Sequence, residues 1–355
     1  VPRVALLLPL SGPHSKLGHA FLNAAQLALF HFADKEFELI PQDTMGTPEG
    51  AADAATLAIG DGASLILGPV FSIITPFTKD QKIDYKNLFK YLDFYYSRGC
   101  KIFYLMAYNS RLNVLSQKEA EDLNIRTAKY LKKKYKDIIF IGAEKVEGST
   151  DQTIKMCKKL TKNNVDIVSV IFGEKYYYDN QVYSHFLKVS KKTKTKLLLH
   201  LQPMTNGLSH SPPVVNYNLK LIENISFLKS FVAIKEDVKN HNFTLEVLKK
   251  TKKKCAIIRS GGGMEGFFKY YHFGCQSWLA GIECIDPKIA FDFYDALLNK
   301  NYKFCKLIFY NIERPFFKLV SKYGWHLTIK SCLSYVKLMN SYERMPMKKL
   351  SKNRE

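Results

Sequence analysis

The residue with the most chemistry to offer is a lysine that closes an apolar run. Residues 230–238 read SFVAIKEDV, so Lys235 ends a strand-like stretch. An amine attacks a carbonyl only when neutral, and burial in a low-dielectric site disfavours the charged form of such a group. Almost every other lysine lies in a helical or polar run, where water keeps it protonated. The competing reading is that Lys235, one of 45 lysines, merely caps a strand. The glycine run 261–266, GGGMEG, fits G-x-G-x-x-G after a strand and before a helix, with Glu283 roughly where a ribose-binding acid would stand. A plain tight turn, or a loop whose backbone amides meet a substrate, accounts for the same glycines. The nine histidines form no HxxxH or HExxH pattern, no Cys–His spacing fits zinc, and G-x-S-x-G is absent, so no metal is expected.

These residues need elements to hold them. The chain has 355 residues, 46% of them hydrophobic, which suits two domains or one large domain with an appendage. Its composition breaks near Phe71. Residues 1–71 hold three basic against seven acidic residues, net −4, whereas the remainder holds 50 against 25, net +25. Twelve alanines precede the break and nine follow it. One folded domain rarely changes its usage so abruptly, so we set a boundary there, with domains 1–71 and 72–355. The first part reads as β-α-β-α-β: strands at 3–8, 37–41 and 64–67, helices at 16–32 and from Thr47. The second part alternates eight times. Strands are expected at 71–75, 101–106, 137–141, 166–171, 196–201, 227–234, 255–259 and 277–280. Helices are expected at 85–98, 118–134, 151–162, 180–191, 214–222, 243–252, 265–273 and 287–299. Eight βα units with a helical tail after them fit a TIM barrel, whose sites lie at the C-terminal ends of the strands.

Residues 1–71, through VALLLPLSGPHSKLGHAFLNAAQLAL, FELIPQDTMGTPEGAADAA and ASLILGPVF, resemble the opening of a type I periplasmic solute-binding protein, in the flavour of the penicillin-binding protein activators. In such a fold the turn 10–12 would approach a ligand, although a plain strand-to-helix turn explains it too. Residues 71–355 resemble the dihydrodipicolinate synthase and N-acetylneuraminate lyase family. FSIITPFTKDQKIDYKNLFKYLDFYYSRGC, LSQKEAEDL, SFVAIKEDV and IIRSGGGMEGFFKYYHFGCQSWLAGIECIDPK carry the likeness. The resemblance implies a (β/α)8 barrel with a C-terminal helical extension, no cofactor, and a Schiff base between Lys235 and a 2-oxo acid. Two family positions differ. Where the family carries Gly-Thr-Thr-Gly-Glu, this chain has Ala-Tyr-Asn-Ser-Arg at 107–111, leaving Asn109 and Ser110 to donate to a carboxylate, and Arg111 either to pair with it or to stand as a helix-entry surface residue. Where the family carries a tyrosine three residues before a proline, His200 precedes Pro203, a group suited to acid–base work near neutral pH or equally to a hydrogen-bonded place in the wall. In the resemblance Gly261 and Gly262 line the substrate site; Tyr176, Tyr177 and Tyr178 precede a helix start, where they would border the site mouth or, as any one of them more readily does, simply pack at the surface.

The expected function is a Schiff-base aldolase or lyase acting on a 2-oxo acid or sugar acid. A solute-binding protein defined by residues 1–71 and a barrel that binds without turnover stand as alternatives. Seven cysteines without CxxC favour a reducing, cytoplasmic setting, and no run of eighteen apolar residues suggests a membrane span. The basic clusters at 132–134, 191–196 and 249–254 fall at helix C-termini, where the helix dipole favours cations, and a fourth lies at 347–352. They form no continuous stripe, which argues against nucleic acid as a partner. Family relatives associate through barrel helices, and the apolar spacing of residues 304–340 predicts a homo-oligomer held partly by that tail.

Overall fold

The structure is a computed structural model that describes residues 3–32, 38–47, 50–51, 54, 68–145, 149–172, 178–201, 203–204, 214–215, 217–238, 240–252 and 254–351. Two compact units divide the chain: Val1–Ile66 with Lys253–Ala256, and Leu67–Lys252 with Ile257–Glu355. In the first, β1 (Arg3–Leu8) leads through α1 (Ser15–Phe32) to β2 (Glu38–Asp43), which pairs parallel to β1 with Arg3 opposite Glu38. The strand expected at 64–67 lies outside the described residues, as does most of the helix expected from Thr47.

The second unit is a closed eight-stranded barrel of parallel strands wrapped by helices. Its strands are β3 (Gly68–Ser72), β4 (Ile102–Tyr104), β5 (Ile139–Ala143), β6 (Ile167–Val170), β7 (Lys196–Leu201), β10 (Phe231–Glu236), β11 (Ala256–Arg259) and β12 (Ser277–Leu279). A two-stranded hairpin, β8 (Pro203–Met204) and β9 (Val214–Val215), follows β7. The strands carry apolar residues on both faces: Phe103, Phe140, Val168, Leu198, Ile234 and Ile258 are wholly buried. Such runs form strands because both faces are covered, one by the barrel core and one by helices.

The helices begin where side chains can cap them. α2 (Tyr85–Ser97) opens on Asp84, α3 (Gln117–Lys134) on Ser116 with Glu119 closing a capping box, and α4 (Thr150–Lys162) on Ser149 with Gln152 doing the same. Each cap satisfies amides the first turn leaves without partners. α5 (Asp179–Lys192), α6 (Leu219–Ser226), α7 (His241–Thr251), α8 (Gly263–Tyr270) and α9 (Lys288–Leu298) complete the wrapping. The basic clusters do lie in last turns: Lys132–Lys134 of α3, Lys191 and Lys192 of α5, Lys249 and Lys250 of α7.

Three sequence expectations need correction. The first barrel strand is 68–72 rather than 71–75: the run continues into the loop, where Ile73, Ile74 and Thr75 are still wholly buried. The helix expected at 214–222 starts at Leu219, because the Asn218 side chain accepts the Leu221 amide and caps it there, while 214–215 pair as a strand. The strand expected at 227–234 starts at Phe231, the preceding residues ending α6.

After the barrel, α10 (Tyr302–Ile308) passes through a π-turn (Phe309–Glu313) into α11 (Arg314–Tyr323) and α12 (Trp325–Tyr335). Phe309, Phe316, Ile329 and Leu333 are buried, while Phe304, Leu307, Tyr310 and Leu319 stay about half exposed. None of the seven cysteines is joined in a disulfide. No helix among the described residues is long and apolar enough to cross a membrane.

Candidate active site

Lys235 is the next-to-last residue of β10, in register with His200 on β7. Its side chain is 1% exposed, and Nζ donates to His200 Nε2 at 2.9 Å and to Asp237 Oδ2 at 2.9 Å. Strand alternation puts residues two apart on one face, which is why Asp237 reaches the same amine. Glu236, between them, turns toward the helices. Its Oε2 accepts from Arg259 Nη1 at 2.6 Å and from Thr244 Oγ1 at 3.0 Å, and its Oε1 from the Val238 amide at 2.7 Å. Burial raises the Glu236 carboxyl against the pull of Arg259. This anchor holds the end of β10 so that Lys235 and Asp237 keep their orientation.

The imidazole is a neutral partner. Burial, and then the Lys235 charge, push His200 well below the usual imidazole range. Accepting at Nε2, it carries its proton on Nδ1, which finds no partner among the described residues. Across the barrel the Tyr104 hydroxyl lies 2.6 Å from Ser169 Oγ. Burial raises that phenol, and the Asp237 carboxylate adds to the rise. At the end of β5, burial pushes Glu144 up to about 7, while it accepts the Ile171 amide at 3.1 Å.

The turn expected to hold a carboxylate is largely occupied by the protein itself. Ser110 is wholly buried; its Oγ accepts the Met106 amide at 2.8 Å and donates to the Ile73 carbonyl. It thereby ties the end of β4 to the loop after β3. Arg111 adopts a left-handed conformation at φ 61° and points to the C-terminal segment, with Nε 3.4 Å from Glu343 Oε2. Lys330 Nζ lies 3.0 Å from Glu343 Oε1, so one buried carboxylate holds two cations. Next to it, Arg344 grips both Glu119 oxygens at 2.9 Å and the Gln81 carbonyl. Asn109 is half-buried at the same turn.

The glycine loop is filled as well. Gly261, Gly262 and Gly263 all have positive φ, and Gly262 caps α8. Glu313 reaches over from the π-turn and accepts the Met264 amide at 2.7 Å and the Glu265 amide at 2.9 Å. A Cβ at Gly263 would come within 2.1 Å of Glu313 Oε1, so a side chain there would push that carboxylate off the amides it holds. A phosphate at this helix start would have to displace Glu313, which removes the basis for a dinucleotide reading. Glu283, set against a ribose, instead accepts from Trp278 Nε1 at 2.9 Å and the Gly281 amide at 2.6 Å. In the first unit, the Leu10 and Ser11 amides of the turn 10–12 go to Asp43 Oδ1 at 2.8 and 3.1 Å. Tyr176 and Tyr177 lie outside the described residues, and Tyr178 is exposed.

The structure thus joins Lys235 to His200 and leaves Ser110 and Arg111 in contacts of their own. Sequence reasoning missed Asp237, Tyr104 and Ser169. For Asp237 the signal was present, since it stands two residues beyond Lys235 on an extended strand. Tyr104 and Ser169 meet only through barrel closure and left no local mark.

Comparison with known proteins follows the same division of the chain. A profile of the Dihydrodipicolinate synthetase family matches residues 66–355. The 4-hydroxy-tetrahydrodipicolinate synthase of Karelsulcia muelleri (strain GWSS) is 25% identical over 299 residues, covering 82% of this chain and 94% of that protein. The enzyme of the same name from Buchnera aphidicola subsp. Baizongia pistaciae is 23% identical over 247 residues, covering 69% and 79%. Among solved structures, dihydrodipicolinate synthase from Oceanobacillus iheyensis superposes with a TM-score of 0.67 at 18% identity, covering 81% of this chain and 92% of that one. The Aquifex aeolicus protein gives 0.68 at 16%, covering 81% and 94%.

Proposed function

The chain belongs to the dihydrodipicolinate synthetase family, and on that premise we propose that it is a Schiff-base lyase acting on a 2-oxo acid or sugar acid. The observation that carries this reading is the Lys235 amine, held without exposure at a barrel strand end between His200 Nε2 and Asp237 Oδ2. The Nζ lone pair would attack the keto carbon, and loss of water would leave an imine that draws electrons from the adjacent bond. His200 fixes the direction of Nζ by accepting one of its protons. The substrate carboxylate would meet the turn at Asn109, since Ser110 and Arg111 are held by protein partners. Gly261 and Gly262 would border the substrate through backbone alone.

The test is borohydride trapping with pyruvate and with a hydroxylated 2-oxo acid, read by peptide mass. A reduced adduct on Lys235 is expected; no adduct with either compound overturns the reading. A barrel that binds such acids without covalent chemistry is the second reading, favoured by the internal engagement of Ser110 and Arg111. It requires ligand-induced stabilisation with no adduct.

Catalysis on this proposal belongs to the unit that starts at Leu67, ahead of the first barrel strand. The described residues ahead of the barrel unit form a small parallel pair whose helix leaves Leu17, Phe21 and Leu27 more than half exposed. Such a sheet has little core to offset its ordering entropy. A chain beginning at Leu67 should fold and label on Lys235 at the full-length rate. Insolubility, or loss of labelling that the full-length protein retains, would make the first unit an integral part of the enzyme.

A further inference from the structure

Two groups accept a proton of the Lys235 ammonium, and they are not equivalent. His200 is 2% exposed and its Nδ1 has no partner among the described residues, so an imidazolium there would be buried with no second acceptor to share its charge. Such a group is a poor carrier for the proton. The Asp237 side chain is 27% exposed, with Oδ2 2.9 Å from Nζ, and so is within reach of solvent. Taking up the proton turns a buried ion pair into a neutral amine and a neutral acid, so charge is removed from the site rather than added. Asp237 lies outside the carboxylate-holding turn, the histidine position and the glycine loop, the places where chemistry was expected.

We propose that Asp237 is the catalytic proton carrier of this site: it accepts the proton of Lys235 as the amine attacks, and returns it to the departing oxygen. The proposal rests on the Schiff-base reading above. The ammonium Nζ gives one proton to Oδ2, and the freed lone pair forms the C–N bond while the carbonyl π electrons move to oxygen. The Asp237 acid protonates that alkoxide, giving a carbinolamine with a second ionisable N–H. The carboxylate takes this proton too and passes it to the hydroxyl, the C–O bond breaks, and water leaves. The remaining nitrogen proton belongs to an iminium ion. Three protons on nitrogen become one on the iminium and two on water, and Asp237 ends as it began, now paired with the iminium charge. The groups facing it through this cycle are Lys235 at 2.9 Å, His200 beyond that amine, the Tyr104 phenol, and Glu236, whose carboxyl its charge raises.

The test measures how fast pyruvate labels Lys235 when the imine is quenched with borohydride at timed intervals. Asp237→Asn keeps the shape and the hydrogen bond but not the basicity. Its labelling rate should fall about 100-fold, the lower end for losing a general acid–base group, with the circular dichroism of a folded barrel retained. Asp237→Ala should be equally slow and should recover with added formate or acetate, faster with the more basic acetate. An aspartate that only steered the amine would give an alanine variant that no carboxylate rescues. Labelling of Asp237→Asn within threefold of wild type, or a slow alanine variant indifferent to both anions, overturns the proposal alone. Absence of any adduct in the wild-type protein overturns the Schiff-base reading, and this proposal with it.

Discussion

Lys235→Ala should abolish borohydride-trappable adduct and lower any lyase turnover by roughly 10⁴-fold or more, the scale on which a covalent nucleophile is lost. The barrel should survive the change. The variant removes a buried ammonium together with its stem, so no uncompensated buried charge is left behind. Asp237 loses its partner, but a side chain 27% exposed can take water instead. His200 Nε2 loses a donor, and the space vacated by the lysine stem can admit a water to replace it. The cost is then that of a cavity, smaller than that of a stranded charge. Lys235→Arg is the companion variant: it keeps a cation for Asp237 but supplies no amine that can condense with a ketone at neutral pH. Turnover of either variant near the wild-type level, with the fold intact, would remove Lys235 from the chemistry.

How far the sequence discloses this site depends on the distance over which each part is assembled. Lys235 is legible because a single strand carries both the apolar run and the residue that ends it. The barrel is legible because eight strands and helices alternate, and six of the eight expected strands fall within two residues of their place. Gly68 and Pro69 hid the true start of the first strand, since both residues ordinarily mark turns. Val214 and Val215 adjoin a helix and were absorbed into it, although valines favour strands. Arg111 was set against a substrate carboxylate because its type suits one. The carboxylate it meets belongs to Glu343, which only the return of the C-terminal segment brings there. Asp237 stands two residues beyond Lys235, and that spacing alone does not distinguish it from a solvated acid. The role proposed for it rests on its 2.9 Å contact with Nζ, which appears only once the end of β10 is in place.

That return of the C-terminal segment carries the second large effect. Glu343→Gln should destabilise the barrel unit by about 3–5 kcal/mol, the range for breaking a buried ion pair from one side. The wild-type side chain is fully buried, with Lys330 at 3.0 Å and Arg111 at 3.4 Å, themselves 1% and 6% exposed. Glutamine fits the space but leaves two cations facing each other without an anion, beside His326, which burial pushes down to about 3 and so keeps neutral. The deficit should depend on pH. Burial pushes Lys330 down to about 8, against the opposing pull of Glu343, from an ordinary value of 10.5. Between those values the unfolded chain binds a proton that the folded chain does not, so wild-type stability rises with pH across that window. Without Glu343 the Lys330 value falls further, and the window opens at lower pH. The variant therefore starts to regain stability before wild type does, and the gap narrows as pH rises toward about 8. Above that point the gap stays level, because both proteins then hold a neutral Lys330 and only the unpaired Arg111 distinguishes them. Urea unfolding at pH 6 and at pH 8.5, followed by the fluorescence of Trp278 and Trp325, reads this directly, since both tryptophans of the chain lie in the barrel unit. A deficit under about 1 kcal/mol, the scale of an exposed pair, or one equal at the two pH values, would show that the C-terminal segment is not held by this charge cluster.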